Sequence, residues 1–413
     1  MVDIRRCRSG DTGLRATRCR AGHRLYQETS MQTDLFESDH ELFRESVRGF
    51  VTKHVVPKLE MWDTDRLIDR ETWRAAGAQG ILGLAVPTEY GGPGETDYRF
   101  RVAIQTEIAR VGASALQSGF STNDDIVLNY LLRHADDDQK SRWVPGFVTG
   151  ATIGAIAMTE PGAGSDLRSI TTTARRDGDH WVINGAKTFI TSGILADLVI
   201  VFAKTDPGAG SRGFSLFVVE DGTAGFSRGR KLDKVGLHAQ DTAELAFDDV
   251  RVPAANLLGE EGAGFAYLMQ SLPLERLGIG IAAQVSAEAV LDWTLAYVKD
   301  RTAFGKRIGE FQGLGFTLAD LQTAVEVSRA YLDRCVREYN SGRLTAVDAA
   351  KAKLWATELQ GRVIDSGVQL HGGYGYMMEY PVAKAYIDAR IQRIYGGTNE
   401  IMKEIIHRDL MKG

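Results

Sequence analysis

The chain is poor in cysteine, proline and unbroken apolar sequence, with 3 Cys and 9 Pro among 413 residues. Cys7 and Cys19 lie close to the start and Cys335 stands alone in a helical stretch. Neither a disulfide framework nor a cysteine metal site can be assembled from them, so a reducing compartment is expected. The longest clean apolar run, Leu198 to Ala203, is far shorter than the roughly 20 residues of a bilayer-spanning helix, so no integral membrane segment is expected. Positive charge is not in excess either. The net charge of −5 argues against nucleic acid as the main partner. No lysine is followed by Ser or Thr in a phosphate-loop pattern, no His-Glu-x-x-His occurs, and the 8 His are scattered, so no metal site is expected.

What is abundant is glycine, 45 residues, in a chain that is 44% apolar and 25% charged. That mixture describes a globular protein of two or three units with many tight turns. Residues 1–33 stand apart as a disordered or mis-assigned extension. Residues 1–30 hold Arg without Lys and carry a local charge of +4, which leaves the remainder at −9. If they were a transit peptide the compartment would be the mitochondrial matrix; otherwise a cytoplasmic, bacterial-type protein is expected.

Three regions follow. Over 34–150 the period is helical: Leu42, Phe43, Val47, Phe50 and Val51 recur at spacings of three and four, as do Ile104, Ile108 and Val111. Over 151–260 it alternates, in short β-branched runs separated by Arg176-Asp-Gly-Asp, Asn184-Gly and Asp221-Gly turns. Strands without intervening helices predict a barrel or sandwich. Over 261–413 long helices return at Phe265–Lys299, Thr317–Tyr339 and Thr345–Leu370, the last opened by Thr345 with Asp348, and another follows Thr398. The expected architecture is therefore α+β and multi-domain: an N-terminal α-helical domain, a middle β-barrel or sandwich, and a C-terminal four-helix bundle.

Two literal motifs are set aside. Gly208-Ala-Gly-Ser-Arg-Gly matches a dinucleotide fingerprint, but no helix follows it. Gly225-Phe-Ser-Arg-Gly matches a nucleophile elbow, but Arg228, Arg230 and Lys231 replace the apolar helix that such an elbow requires.

Four features carry chemistry. In the apolar stretch Gly262–Ala287 the only charges are Glu275 and Arg276, just after Pro273, where an internal proline is expected to kink a helix. Two readings fit: a buried ion pair, or a carboxylate whose desolvation raises its pKa and makes it a general base. Thr159-Glu-Pro-Gly-Ala-Gly-Ser-Asp at a strand end is either a plain glycine turn or an anion-binding concavity. The glycine clusters Gln369-Leu-His-Gly-Gly-Tyr-Gly and Tyr395-Gly-Gly-Thr-Asn-Glu flank helix ends whose free amides suit a phosphate or carbonyl oxygen. Asp300-Arg-Thr-Ala-Phe-Gly-Lys is a basic turn between bundle helices, or a solvated cap.

In this order, the segments resemble the acyl-CoA dehydrogenase family over 34–413, and the runs Tyr-Gly-Gly-Thr-Asn-Glu-Ile-Met-Lys-Glu and Gln-Asp-Thr-Ala-Glu-Leu resemble its long-chain type most. The resemblance implies FAD as cofactor, an acyl-CoA thioester as substrate, an electron-transferring flavoprotein as electron acceptor, and a homotetramer. It also implies site residues. Ile156, Met158, Thr159, Gly164 and Ser165 match the flavin segment, with Ser165 near the substrate as well. Phe189, Ile190 and Thr191 match the stretch whose Thr hydroxyl reaches flavin N5, with Phe189 where many relatives have Trp. Arg301, Gln312, Gln369, Leu370, Gly372 and Gly373 match contacts to the FAD diphosphate and adenosine across a subunit interface. Thr398, Asn399 and Glu400 complete the flavin site. Pro273, Leu274, Arg276, Gly396 and Gly397 are the matching substrate residues.

In the commonest branch of the family the base precedes Gly-Thr in the last motif, where this chain has Gly396. A smaller branch carries it on the bundle helix, at the position of Glu275. The resemblance thus implies Glu275 as the α-proton base in forming a trans-2-enoyl-CoA. The same fold hosts flavin-dependent monooxygenases and non-catalytic acyl-CoA-binding members; Glu275 argues against both.

Overall fold

The computed structural model describes residues 34–412; the expected extension 1–33 lies outside the described residues. The first helices are α1 (Ser38–Phe50), α2 (Leu59–Asp65), α3 (Arg70–Ala78), α4 (Arg99–Ala109), α5 (Ser114–Ser121), α6 (Asn129–His134) and α7 (Asp137–Thr149). Their apolar stripes meet around Trp62, Trp73, Phe120 and Ile104. Leu42, expected on the inner stripe of α1, is instead 66% exposed, because Val47 and Phe50 supply the face that packs. Asp136, expected to open a loose break, caps α7 and accepts from the Gln139 amide at 2.7 Å. Between α5 and α6 the helix widens into a π-helical stretch, Thr122–Leu128, with Asn123, Asp124 and Asp125 buried.

The strands are β1 (Gly154–Ala157), β2 (Thr173–Asp177), β3 (His180–Thr191), β4 (Leu198–Lys204), β5 (Phe214–Glu220), β6 (Phe226–Lys231), β7 (Thr242–Pro253) and β8 (Leu257–Leu258). The order β6-β7-β3-β2-β4-β5-β8, with β1 beside β4, divides into two halves because β2 and β4 pair only through Thr173 and Lys204. Side chains of both halves share one core, in which the Trp181 and Phe217 rings lie 5.1 Å apart. Strand β4 is buried on both faces. Val199, Val201 and Ala203 enter that core, while Leu198, Ile200 and Phe202 pack with Leu131, Val144 and Phe147 of the helical layer.

One expected turn is corrected. Asn184-Gly185 does not end a strand but forms a bulge inside β3, which joins two runs read as separate strands. Gly185 adopts φ 150°, and a Cβ there would meet Thr172 Oγ1 at 2.4 Å, so the Asn-Gly signal reports a close approach rather than a hairpin. The 208–213 and 225–229 motifs fall in a loop before β5 and at the start of β6, with no helix after either.

The last region holds α8 (Gly264–Asp300), a hairpin of β9 (Thr302–Ala303) and β10 (Lys306–Arg307), then α9 (Gln312–Asn340), α10 (Ala346–His371), α11 (Pro381–Ala389) and α12 (Asn399–Leu410). The expected basic turn is thus a tight hairpin turning at Phe304 and Gly305. Thr345 caps α10 by accepting from the Asp348 amide at 3.0 Å. α8 continues through Pro273 as one helix of 37 residues, with packing against α10 and α9 offsetting the hydrogen bond that the proline cannot donate. Among the described residues no helix is long and apolar enough to cross a membrane.

Candidate active site

The middle of α8 has almost no polar residues, so a charge placed there is dehydrated. Glu275 is 5% exposed, and burial pushes its carboxyl up to about 7, against the opposing pull of Tyr130 and Arg276. Its Oε1 accepts a hydrogen bond from Tyr130 Oη of α6 at 3.2 Å. Arg276, also buried, turns elsewhere: its Nε donates to the Gly396 carbonyl at 3.3 Å. Among the described residues no ion pair joins Glu275 to Arg276, so the purely structural alternative for Glu275 has no geometric counterpart.

The loop between α11 and α12 is held from below. Lys353 Nζ donates to the Gly397 carbonyl at 2.5 Å, and burial pushes this lysine down to about 8. Gly396 and Gly397 adopt φ 64° and 88°, and a Cβ on Gly396 would stand 2.4 Å from Ile279 Cδ1, one turn beyond Glu275 on α8. Glycine is therefore favoured at the place where the commoner branch has its base, since a side chain there would be strained and Ile279 would have to turn aside.

Asn399, expected at the cofactor, is turned into the bundle. Its amide donates to Thr357 Oγ1 at 3.0 Å and to Glu358 Oε1 at 2.8 Å, and its carbonyl accepts from Lys353 at 3.4 Å. Thr398 caps α12 and Glu400 is exposed in the first turn. Of the remaining α8 residues, Leu274 is buried and Pro273 partly so.

The second wall comes from the β domain. Glu160 and Lys187 form a buried pair at 2.9 Å, and Lys187 also donates to the Met158 carbonyl at 2.9 Å. Burial alone would raise the Glu160 carboxyl, but hydrogen bonds from Thr172, Thr171 and Lys187 hold it at about 2. This pair pins the segment carrying Met158, Thr159, Gly164 and Ser165 against the end of β3, where the Thr188 amide bonds the Thr159 carbonyl at 2.9 Å.

Phe189 is unusual on two counts, with φ 60° and 67% of its surface exposed. A bulky aromatic side chain held in left-handed backbone and left uncovered marks a surface built to receive something flat. Thr159 and Thr191, on the segments that the Glu160–Lys187 pair draws together, are partly exposed, and Ser165 is exposed. Ile190 is buried in the β core and Ile156 packs partly on the helical side. An aromatic face beside unengaged hydroxyls fits the isoalloxazine ring of a flavin, and these residues would hold it.

The other expected cofactor residues do not join this group. Arg301 follows the end of α8, about 39 Å along the axis from Glu275 at 1.5 Å per residue. It lies 5.8 Å from the Tyr374 ring. Near it, Gln369, Gly372 and Gly373 are exposed at the end of α10, Gln312 opens α9, and only Leu370 is buried. The expected contacts thus fall into two sets, one of them at the C-terminal end of α8, far along the helix from Glu275. A cavity of about 490 Å³ lies in neither, but between α10 and α11, lined by Val235, Trp355, Arg362, Tyr386 and Arg390 among others.

Four site residues escape the sequence reading. Tyr130 carries no signal, because its contact with Glu275 depends on two elements meeting across 145 positions. Glu160 and Lys187 lie in quite different motifs. Lys353 did leave a trace, a lone lysine among Ala349, Ala350, Ala352 and Ala356 on the inner stripe of α10.

The chain thus combines a helical layer, a β core and a helical bundle with a dehydrated carboxylate on the bundle and an uncovered aromatic side chain on the β domain. Comparison with known proteins makes the class specific. Three family models match: the acyl-CoA dehydrogenase N-terminal domain over 37–151, middle domain over 155–250 and C-terminal domain over 262–411. The chain is 48% identical to the mitochondrial long-chain specific acyl-CoA dehydrogenase of Sus scrofa, over 91% of this chain and 87% of that one. It superposes on the acyl-CoA dehydrogenase of Geobacillus kaustophilus with a TM-score of 0.90 and 48% identity, covering 92% of this chain and all of the other. A glutaryl-CoA dehydrogenase of Mycobacterium smegmatis in complex with FADH2 matches with a TM-score of 0.85 at 28% identity, covering 91% and 95% of the two chains. The chain belongs to the acyl-CoA dehydrogenase family.

Proposed function

We propose that the protein is an FAD-dependent acyl-CoA dehydrogenase in which Glu275 removes the α-proton of an acyl-CoA thioester, giving the trans-2-enoyl-CoA, with an electron-transferring flavoprotein as the acceptor. The observation that carries this reading is Glu275 itself: a solitary buried carboxylate with a pKa raised to about 7, beside a loop that has Gly396 and no carboxylate at the alternative place for a base.

A base poised near neutrality is half deprotonated at working pH and still basic enough to accept a proton. Backbone amides of the loop at Gly396 and Gly397 would face the thioester carbonyl, and Arg276 and Lys353 fix the loop through its carbonyl oxygens. Met158, Thr159, Phe189 and Thr191 would hold the isoalloxazine, with Ser165 bordering both cofactor and substrate. FAD, when bound, supplies the hydride acceptor. The bound acyl chain would exclude water from around Glu275 and raise its basicity further.

The separation of Arg301, Gln312, Gln369, Gly372 and Gly373 from Glu275 supports a cofactor shared between two copies, each chain lending its far set to its neighbour's site. Half-exposed Trp355 and Tyr386 around the 490 Å³ cavity supply apolar surface for a homotetramer.

The test is anaerobic mixing of the FAD-loaded protein with short, medium, long and branched acyl-CoAs, following the visible absorbance of oxidised flavin. Bleaching with one class, lost by on the order of 10²-fold in Glu275→Gln with FAD retained, is the expected result. Unchanged bleaching in that variant would remove Glu275 from the reaction.

A further inference from the structure

We propose that Tyr130 is a positioning residue for the base: its phenol donates to Oε1 of Glu275, which keeps that carboxylate in its charged form and leaves Oε2 as the oxygen that takes the proton. The inference rests on Glu275 being the base and adds how the protein sets its strength and direction.

Tyr130 is fully buried and packs with Val127, Leu131 and Leu268, so the phenol cannot swing away. It sits just after the π-helical stretch, in the first turn of α6, which places its hydroxyl 3.2 Å from Glu275 Oε1. Burial and the nearby Glu275 push the phenol well above its ordinary pKa, so it keeps its proton and can donate it to the carboxylate. No hydrogen bond reaches Oε2 from any described residue.

The other charged and titratable groups around the pair are engaged elsewhere or further off. On α8 itself Arg276 is bonded to Gly396. From α10, Lys353 faces Arg276 and the loop. Beyond Gly278 lie Tyr98 and Asp125, the latter paired with Arg101 of α4 at 3.0 Å. On α6, Arg133 adds a positive charge near the phenol, and the His134 ring lies 6.1 Å from the Tyr130 ring, with burial pushing that imidazole down to about 4 so that it is neutral. Tyr130 is thus the one described group that hydrogen-bonds the carboxylate.

A hydrogen bond to a charged, buried group shifts its pKa by about one to two units. Because the donor stabilises the carboxylate, losing it raises the Glu275 pKa, and the activity that needs the charged base must move to higher pH.

The experiment uses the FAD-loaded full chain. An infrared pH titration follows the protonated carboxyl band that disappears in Glu275→Gln, alongside the pH profile of flavin bleaching by a saturating acyl-CoA. In Tyr130→Phe the band midpoint and the acid limb of the profile should both rise by about one unit or more. Site-specific 3-fluorotyrosine at position 130, a stronger donor, should move both the other way, and it decides the matter if Tyr130→Phe does not fold.

A band midpoint that stays put in either protein overturns the inference, whatever happens to the rate. The underlying reading fails separately: if Glu275→Gln bleaches flavin like the parent, Glu275 is not the base, while the infrared band still reports whether Tyr130 governs its proton.

Discussion

Moving the base to the commoner position should fail until Ile279 makes room, and the cost can be worked from the geometry. Gly396 has φ 64°, where a residue with a side chain loses about 1–2 kcal/mol. A Cβ there stands 2.4 Å from Ile279 Cδ1, which must retreat by about 1 Å to reach an ordinary contact. Ile279 is only partly buried and can turn, at about 0.5–1.5 kcal/mol for a displaced rotamer. Gly396→Ala should therefore cost about 2–3 kcal/mol, seen as a fall of roughly 5 °C in melting temperature for a bundle of this size. Gly164→Ala serves as the control, since no atom lies within 4 Å of its Cβ position and its φ is ordinary. In Glu275→Gln, adding Gly396→Glu should leave the flavin unbleached by acyl-CoA, and adding Ile279→Ala as a third change should recover at least part of the reaction. The reasoning is refuted if Gly396→Ala melts with the parent, or if the double variant is active with Ile279 intact.

Wild-type flavin bleaching should rise about tenfold between pH 6 and pH 8, since the base must be deprotonated and its pKa is raised to about 7; stopped-flow rates at saturating acyl-CoA measure this, and a flat profile would count against Glu275. Lys187→Met leaves Glu160 buried without its cation and should cost about 3–5 kcal/mol by denaturant unfolding, with faster loss of FAD from the loosened 158–172 loop. Glu160 is depressed from 4.5 to about 2 in the folded state, so the stability it contributes is present above about pH 4.5 and disappears as pH falls toward 2; Glu160→Gln should flatten that part of the acid-unfolding curve. Phe189→Gly should leave the melting temperature of the apoprotein unchanged or slightly higher, because φ 60° suits glycine and the side chain is two-thirds exposed, yet weaken FAD binding by up to about tenfold on loss of aromatic stacking. Apoprotein calorimetry and FAD titration separate the two effects.

Local patterning was enough to order the regions, because the change from a helical to an alternating period depends on neighbours a few positions apart. It also located Glu275, since a lone acid in an apolar helix is conspicuous in one dimension. It misjudged Asn184-Gly185, where long-range packing overrides local preference: Thr172 presses on the glycine and the strand runs on through it. Whether Glu275 pairs with its neighbour was equally undecidable from adjacency, for successive residues of a helix point in different directions.

The sequence by itself determined the α, β, α order and the lone acid in an apolar helix, properties of composition and spacing along one segment, while its resemblance to a known family singled out Gly396 where the commoner branch has its base. Only the tertiary structure decided that Glu275 is dehydrated without an ion pair to Arg276, that Arg276 and Lys353 hold the 396–397 loop, that Tyr130 holds Glu275, that Glu160 and Lys187 pin the β wall, and that Arg301 and its neighbours lie far along α8 from Glu275. Each of these joins elements far apart in the chain, and hydrogen bonds of about 3 Å are set by how those elements pack, which no local pattern records.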